Sequence, residues 1–519
     1  MRHILKRVKN KGKQAKTNDT EEPQNEFQIE ISTNLEENLH SLQKMLGHPA
    51  DLIIRKITVG EQEVKAAICY ISGLTDSKLV NDNILKIIQK NSKQVKTNIL
   101  EDIYQHIIAI SNTKKDQTLD KVSIALLSGN TVLYLDGFDT VLIMETEGAE
   151  KRSIEEPQTE SVVRGPRSGF VESLQTNITL VRRELKDPNL RMETHEVGKR
   201  SKQKIVVCYI AGITNPEIVD EINRRLKSID IDFSTGSGFV EQWIEDSFFS
   251  PFPQLLDTER PDRLIYSILQ GKVGIIVDGS PFALIAPVVF KDTLESLEDY
   301  TQRWVIGSFL RLLRYLSVFI AVFLPAIYVA LVSYHPGLIP SKLAFSIAGS
   351  REYVPFPALV EAMLMAITFE ILQEAGLRLP RLIGQTIGIV GGIVIGEAAV
   401  SAGIVSPVMV VATALTAVAS FTIPNYSVAI GFRAMRIIFI ILSGILGIYG
   451  IILGYIMLNI HLVNLKSIGV PYSSPFTPKF IGDIKNLFIR PPIMALKKRP
   501  SYLQPLDKTR INKGGQKES

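Results

Sequence analysis

The sequence predicts tandem, duplicated α/β cytoplasmic domains followed by an α-helical multi-pass membrane domain. Three observations carry this. Near residue 315 a charge-rich half gives way to long stretches without Lys, Arg, Asp or Glu. CYISGLTD (Cys69 to Asp76) recurs as CYIAGITN (Cys208 to Asn215), 139 positions later. Several apolar runs behind residue 315 approach the roughly 20 residues that a bilayer requires.

The chain has 519 residues, 45% of them hydrophobic and 21% charged, which is too long for one domain. Residues 1–34 read as a disordered tail, basic from Met1 to Lys16 and then acidic at Asp19, Glu21 and Glu22. It has no apolar core of a secretory signal, so the front half is expected to stay cytoplasmic. A net charge of +5, spread thinly, gives no indication of nucleic acid. Cys69 and Cys208 each lie in an apolar strand-like run and read as buried reduced thiols. The seven histidines form neither HExxH nor any other metal motif, and no cofactor or catalytic constellation is visible.

The repeat extends outward from its core. Asn38, Leu46 and Pro49 fall on Asn177, Leu185 and Pro188, and LLSGNTVLYLDGFDTVLI (126–143) lies against ILQGKVGIIVDGSPFALI (268–285). Two related α/β domains follow, 35–147 and 174–290, each running helix, strands, helix and a closing hairpin. Asp136-Gly137 and Asp278-Gly279 mark the hairpin turns, where positive φ comes easily. Gly271-Lys272 is not a phosphate loop, because Val273 stands where Ser or Thr is needed; it reads as a turn between strands.

Residues 148–173 form a polar linker. Arg164 and Arg167, with Arg182 and Arg183 beyond it, have two readings: a solvated connector or a contact with another subunit. ERPDR (259–263) reads either as a Pro-started helix with local ion pairs or as a similar contact.

The membrane domain, 291–465, opens with twenty uncharged residues, 315–334, long enough to span the hydrocarbon. Further apolar segments lie at about 354–373, 383–400, 407–430 and 437–461. Five crossings would separate two basic ends, since Lys466, Lys479, Lys485, Arg490, Lys497, Lys498 and Arg499 all favour the cytoplasm. Four full crossings are therefore expected, with 354–373 or 407–430 failing to cross. Residues 466–519 are a basic cytoplasmic tail.

Gly384, Gly388, Gly392 and Gly396 recur every fourth residue, so one helix face is nearly bare backbone on which another helix, including one from a second copy, can pack closely. Charges at membrane depth must be neutralised, paired or wetted. Glu361 and Glu370, nine residues apart and on opposite helix faces, are candidates for an ion path, with burial beside a partner as the alternative. Glu397 sits near a segment end, where reaching the interface is the other reading. Glu374 and Arg378 read as an intrahelical ion pair.

RGPRSGFVES (164–173), TNITLVRREL, ERPDR, VDGSPFALIAP (277–287) and GLRLPRLIGQTIGIVGGIVIGEAAVSAGIVSP (376–407) resemble the A subunit of GerA-type spore germinant receptors, from about residue 35 to 490. The resemblance implies a nutrient-receptor component in the spore inner membrane that works with a transporter-like B subunit and a lipoprotein C subunit. It also implies A subunits assembled as a homo-oligomer, in a ring around an ion-conducting pore, with no enzymatic activity. Two other classes compete with it. A secondary transporter would carry its repeats in the membrane half, and a non-conducting scaffold or signal relay would use its buried charges structurally.

Overall fold

The computed structural model describes residues 29–60, 63–90, 99–104, 110, 112–148, 156–157, 159–160, 162, 164–378 and 394–511. Helix α1 (Leu35–Leu46) starts on Asn34, whose side chain accepts from the amides of Glu36 and Glu37, and stops at Gly47 in the left-handed region. Strands β1 (Leu52–Val59) and β2 (Val64–Ile71) form a hairpin. A helical stretch over 77–90 and an edge strand β3 (Thr113–Asp116) follow. Then come α2 (Leu119–Leu127), β4 (Thr131–Leu135) and β5 (Val141–Met144). The sheet order is β1-β2-β4-β5-β3, antiparallel throughout.

The second domain repeats this plan. Helix α3 (Leu174–Glu184) precedes β6 (Leu190–Val197) and β7 (Gln203–Ile210), followed by α4 (Pro216–Lys227) and α5 (Ser237–Ile244). Strand β8 (Leu256–Thr258), helix α6 (Pro261–Leu269), β9 (Val273–Val277) and β10 (Ala283–Ala286) complete it. The order β6-β7-β9-β10-β8 matches the first sheet strand for strand.

Small devices are duplicated as well. The Asn38 side chain accepts from the Ser32 amide at 2.8 Å and Asn177 from the Val171 amide at 2.8 Å. Asp136 and Asp278, each in its hairpin turn, accept the first amide of α1 and of α3. Each central strand feeds two cores because alternate side chains point to opposite faces. Ala67, Cys69 and Ile71 meet α1 and α2, while Ala66, Ile68 and Tyr70 meet the helical stretch beyond β2. Val206, Cys208 and Ile210 likewise meet α3 and α6, and Ile205 and Val207 meet α4 and α5. Both cysteines are buried and free, their thiols pushed up to about 12 by burial. Gly271 turns α6 into β9, so it links a helix to a strand, where the sequence suggested two strands.

The helical half begins with α7 (Trp304–Ser333), which starts well before residue 315 because Arg311 and Arg314 are neutralised by buried carboxylates. It is followed by α8 (Ser341–Arg351), α9 (Ala358–Arg378), the helical residues 394–401 (α10), α11 (Pro407–Ser420), α12 (Tyr426–Leu446) and α13 (Ile448–Asn464). Among the described residues two helices, α7 and α12, are long and apolar enough to cross a membrane; α11 and α13 are shorter apolar helices. The expected segments 407–430 and 437–461 are corrected to three helices. Ser406 caps α11 and Asn425 caps α12, and Gly447, at φ 61°, reverses the chain between α12 and α13. At that turn Gly450 lies so close that an added Cβ would sit 2.1 Å from the Leu442 carbonyl oxygen.

The direction of travel follows from the contacts. Helices α7 and α12 both leave the second domain and meet again at their far ends, where the Tyr334 hydroxyl donates to the Gly444 carbonyl at 2.6 Å. Helix α13 returns, and the His461 ring meets Ser250 of the second domain at 2.9 Å. The core of the second domain runs without a break into these helices, through Phe252, Val322, Ala326, Phe432 and Phe439. Beyond α13 the chain folds back. A β-bridge pair, Lys466–Ser467 with Val470–Pro471, a helix α14 (Ile481–Phe488) and residues up to 511 dock on the second domain, burying Ile468, Tyr502 and Leu503 in its core.

Candidate functional site: buried ion pairs of the helical half and its junction

Glu361, one turn into α9, is completely buried. It pairs with Arg351 at the end of α8 (3.2 Å) and accepts from both the amide and the hydroxyl of Ser406, at 2.6 and 2.5 Å. Ser406 thus caps α11 while receiving the carboxylate, and the Tyr328 hydroxyl of α7 joins it at 2.9 Å. Four helices are tied at one point, three of them by hydrogen bonds and α8 by the ion pair. Glu370, two and a half turns beyond Glu361 on α9, faces α12. It pairs with Arg433 at 3.3 Å and with buried Arg436. An apolar cleft of about 420 Å³ opens beside this pair, lined among the described residues by Phe369, Gln373, Ala417, Phe421, Tyr426 and Arg433.

The two carboxylates therefore point to different neighbours, as their nine-residue spacing requires, and each is matched by arginine inside the chain. Glu397 is exposed. Gly384, Gly388 and Gly392 lie outside the described residues. Gly396 is described, and a Cβ there would sit 3.4 Å from Val410 of α11, so at this position the neighbour is the same chain. The side chain of Arg378 also lies outside the described residues.

Arg182 is a correction. Instead of facing another subunit it is 2% exposed and pairs bidentately with Asp51 of the first domain, its Nη2 donating to Oδ1 at 2.9 Å. Arg164, Arg167 and Arg183 are exposed, Arg167 lying 3.8 Å from Glu156. ERPDR forms the Pro-started α6 with the local pair Arg260–Asp262 at 2.7 Å. It also grips the linker: Arg260 donates to the carbonyls of Glu160 and Pro166, and Arg263 pairs with Glu160.

A junction not anticipated from the sequence joins the second domain to α7. Asp299, fully buried, receives Arg311 at 3.2 Å and Arg314 at 2.9 Å. Glu295 receives Arg311 at 3.1 Å and Lys291 at 3.0 Å, and Asp292 receives Lys272 at 2.5 Å. Burial pushes the Glu295 carboxyl up, but Lys291 and Arg311 outweigh it and hold it down at about 2. The signal was present: Asp292, Glu295 and Asp299 recur at helical steps just ahead of Arg311 and Arg314. Nearer the helices, Asn425 donates to Asp257 at 2.8 Å, and Phe252 packs edge-on against Phe432.

A charged junction welded to long apolar helices, whose exposed faces carry Phe309, Leu316, Ile441, Ile452 and Ile456, defines a membrane protein with an α/β body outside the apolar helices. The model of a family described as Bacillus/Clostridium GerA spore germination protein matches residues 40–502. The chain belongs to this family, as an A-subunit member, and the family is one of germination proteins rather than of enzymes. It is 48% identical to spore germination protein GerLA of Bacillus cereus, over 93% of this chain and 98% of that one. With spore germination protein KA of Bacillus subtilis (strain 168) it shares 45% identity, over 93% of this chain and 89% of that one. It is also 42% identical to the uncharacterized membrane protein YfkQ of the same organism, over 91% of each. The crystal structure of the N-terminal domain of the A subunit of the Bacillus megaterium spore germinant receptor GerK3 is similar over 51% of this chain and 98% of that one, at 33% identity and a TM-score of 0.40.

Proposed function

We propose that the chain is the A subunit of a nutrient-responsive receptor of the spore inner membrane, acting with B and C subunits and assembling with copies of itself around an ion path. The observation that carries this reading is the pair of internal ion locks, Glu361–Arg351 and Glu370–Arg433/Arg436, within helices otherwise built for lipid. Charge at that depth is retained only where it is paired or wetted, and two separate locks on one helix give α9 a charged face toward each neighbour. Opening either lock would expose a carboxylate and a guanidinium to a water-filled route.

The helical half is read as multi-pass. An even number of crossings, four as the apolar segments suggest, leaves both soluble ends on the cytoplasmic side. Neighbouring subunits are met through the exposed Arg164, Arg167 and Arg183 and through the glycine stripe at Gly384, Gly388 and Gly392.

The test is ion flux in liposomes holding the full chain, alone and with its B and C partners. Glu370→Gln and Glu361→Gln are expected to change the flux. Unaltered flux in both variants removes these residues from the path. A complete receptor that conducts nothing supports the non-conducting relay instead.

A further inference from the structure

Where α6, the foot of α7, α14 and the returning chain meet, they enclose a cavity of about 40 Å³. That is room for about three waters, or for one small oxyanion. Six lining side chains are cationic, Lys291, Arg311, Arg490, Lys498, Arg499 and Arg510, and Asp483 is the one carboxylate among the described lining residues. Part of this charge is already matched: Lys291 by Glu295, Arg311 by Glu295 and Asp299, and Arg499 by Asp507. Arg490 is placed differently. Its two terminal nitrogens donate to backbone carbonyls, of Gln302 at 2.9 Å and Tyr300 at 3.2 Å, which satisfy hydrogen bonds without neutralising the ion. Arg510 lies over the Tyr266 ring at 5.1 Å.

The second observation is independent of charge. Three buried lining residues each keep a polar atom with no hydrogen-bond partner among the described residues: Arg311 at Nη2, Arg490 at Nε and Tyr502 at its hydroxyl. They are 1%, 2% and 4% exposed. Buried donors in native proteins are almost always satisfied, and leaving them open is costly. An acceptor-only group with several oxygens satisfies guanidinium and phenol donors together, and guanidinium matches the geometry of an oxyanion.

We propose that this cavity is a binding site for a single phosphate-class oxyanion, held by Arg311, Arg490 and Tyr502 with Lys498 contributing charge at its edge. Free inorganic phosphate and the phosphate of a lipid headgroup share this chemistry. Bound there, the anion ties the C-terminal segment to α7 and to the second domain, so its occupancy sets the stiffness of the joint between the soluble and helical halves.

The test is calorimetric titration of the detergent-purified full chain with inorganic phosphate, against chloride at equal ionic strength. One saturable site per chain is expected, with a rise in the thermal midpoint that chloride does not reproduce. Tyr502→Phe removes one donor and keeps the ring; Lys498→Gln alters an exposed side chain. Each is expected to weaken phosphate by about tenfold, the order of one hydrogen bond to a charged group, while the midpoint in chloride shows that the fold is intact. Competition by a short-chain phosphatidylglycerol, and not by a neutral detergent, identifies a headgroup as the source; no competition identifies free phosphate. Absence of saturable heat, or an affinity in both variants equal to that of the unaltered chain, means that the cavity holds water only and overturns the proposal.

Discussion

The Asp51–Arg182 pair offers the sharpest test of how the two soluble domains are joined. The side chains are 6% and 2% exposed and bind in bidentate fashion. Removing one member of such a pair leaves the other charged and buried, which costs about 3–5 kcal/mol, whereas replacing both by apolar residues of similar volume is close to neutral. At about 1.4 kcal/mol per power of ten, Asp51→Asn should raise the open population of this interface by roughly two to more than three powers of ten. Hydrogen exchange of the full chain reads this directly, since α3, which carries Arg182, and the start of β1, beside Asp51, gain exchange in proportion to opening. Asp51→Leu combined with Arg182→Met should restore most of the protection. Unchanged exchange in Asp51→Asn, or a double variant as open as the single ones, would refute the reasoning that this pair holds the domains together.

Three further outcomes are expected. Burial first, then Asp257 and Glu245, raise the Glu241 carboxyl from its ordinary 4.5 to about 8. The folded chain therefore keeps a proton that the unfolded chain loses, so stability falls as pH rises from about 4.5 to about 8 and then levels; Glu241→Gln should flatten that slope in a thermal midpoint series. At Gly431 a Cβ would meet the Pro251 carbonyl oxygen at 2.5 Å, a backbone atom that cannot swing aside, so Gly431→Ala should part α12 from the second domain and lower the midpoint, whereas Gly337→Ala, with open space around it, should not. Phe248 and Phe249, 80% and 85% exposed, lie in the loop whose Ser250 and Phe252 touch α13 and α12. We expect them to enter the lipid interface, so a tryptophan at Phe248, in a chain with Trp243 and Trp304 changed to Phe, should emit to the blue and be quenched by headgroup-labelled lipid; water-like emission would place the loop outside the bilayer.

Much of the architecture was legible because it was written locally. The Asp136-Gly137 and Asp278-Gly279 turns declared the hairpins, and the repeat of Asn38 as Asn177 marked a tether that recurs in three dimensions. The edge strands were not legible. Thr113–Asp116 is mostly charged and Leu256–Thr258 is three residues long, so neither shows the alternation that a longer strand displays. The reversal at Gly447 escaped for another reason: Gly444, Gly450 and Gly454 flank it in the same apolar run, and only the backbone reveals which glycine takes positive φ. Glu361 and Glu370 stood out because charge is rare in such runs, yet their partners on α8, α11 and α12 are matters of packing. Nothing in the sequence brings Asp51 to Arg182, 131 residues away.

The docked C-terminal segment has a consequence for biogenesis. Ile468, Val470, Tyr502 and Leu503 belong to the same hydrophobic cluster as β7, β9 and α4, yet a ribosome delivers them only after every helix from α7 to α13 has emerged. One side of the second domain's interior therefore stays uncovered until the intervening helices have been made. The second domain is complete only when nearly the whole chain has been made, whereas the first domain, whose clusters are filled by residues 31–144, is under no such constraint.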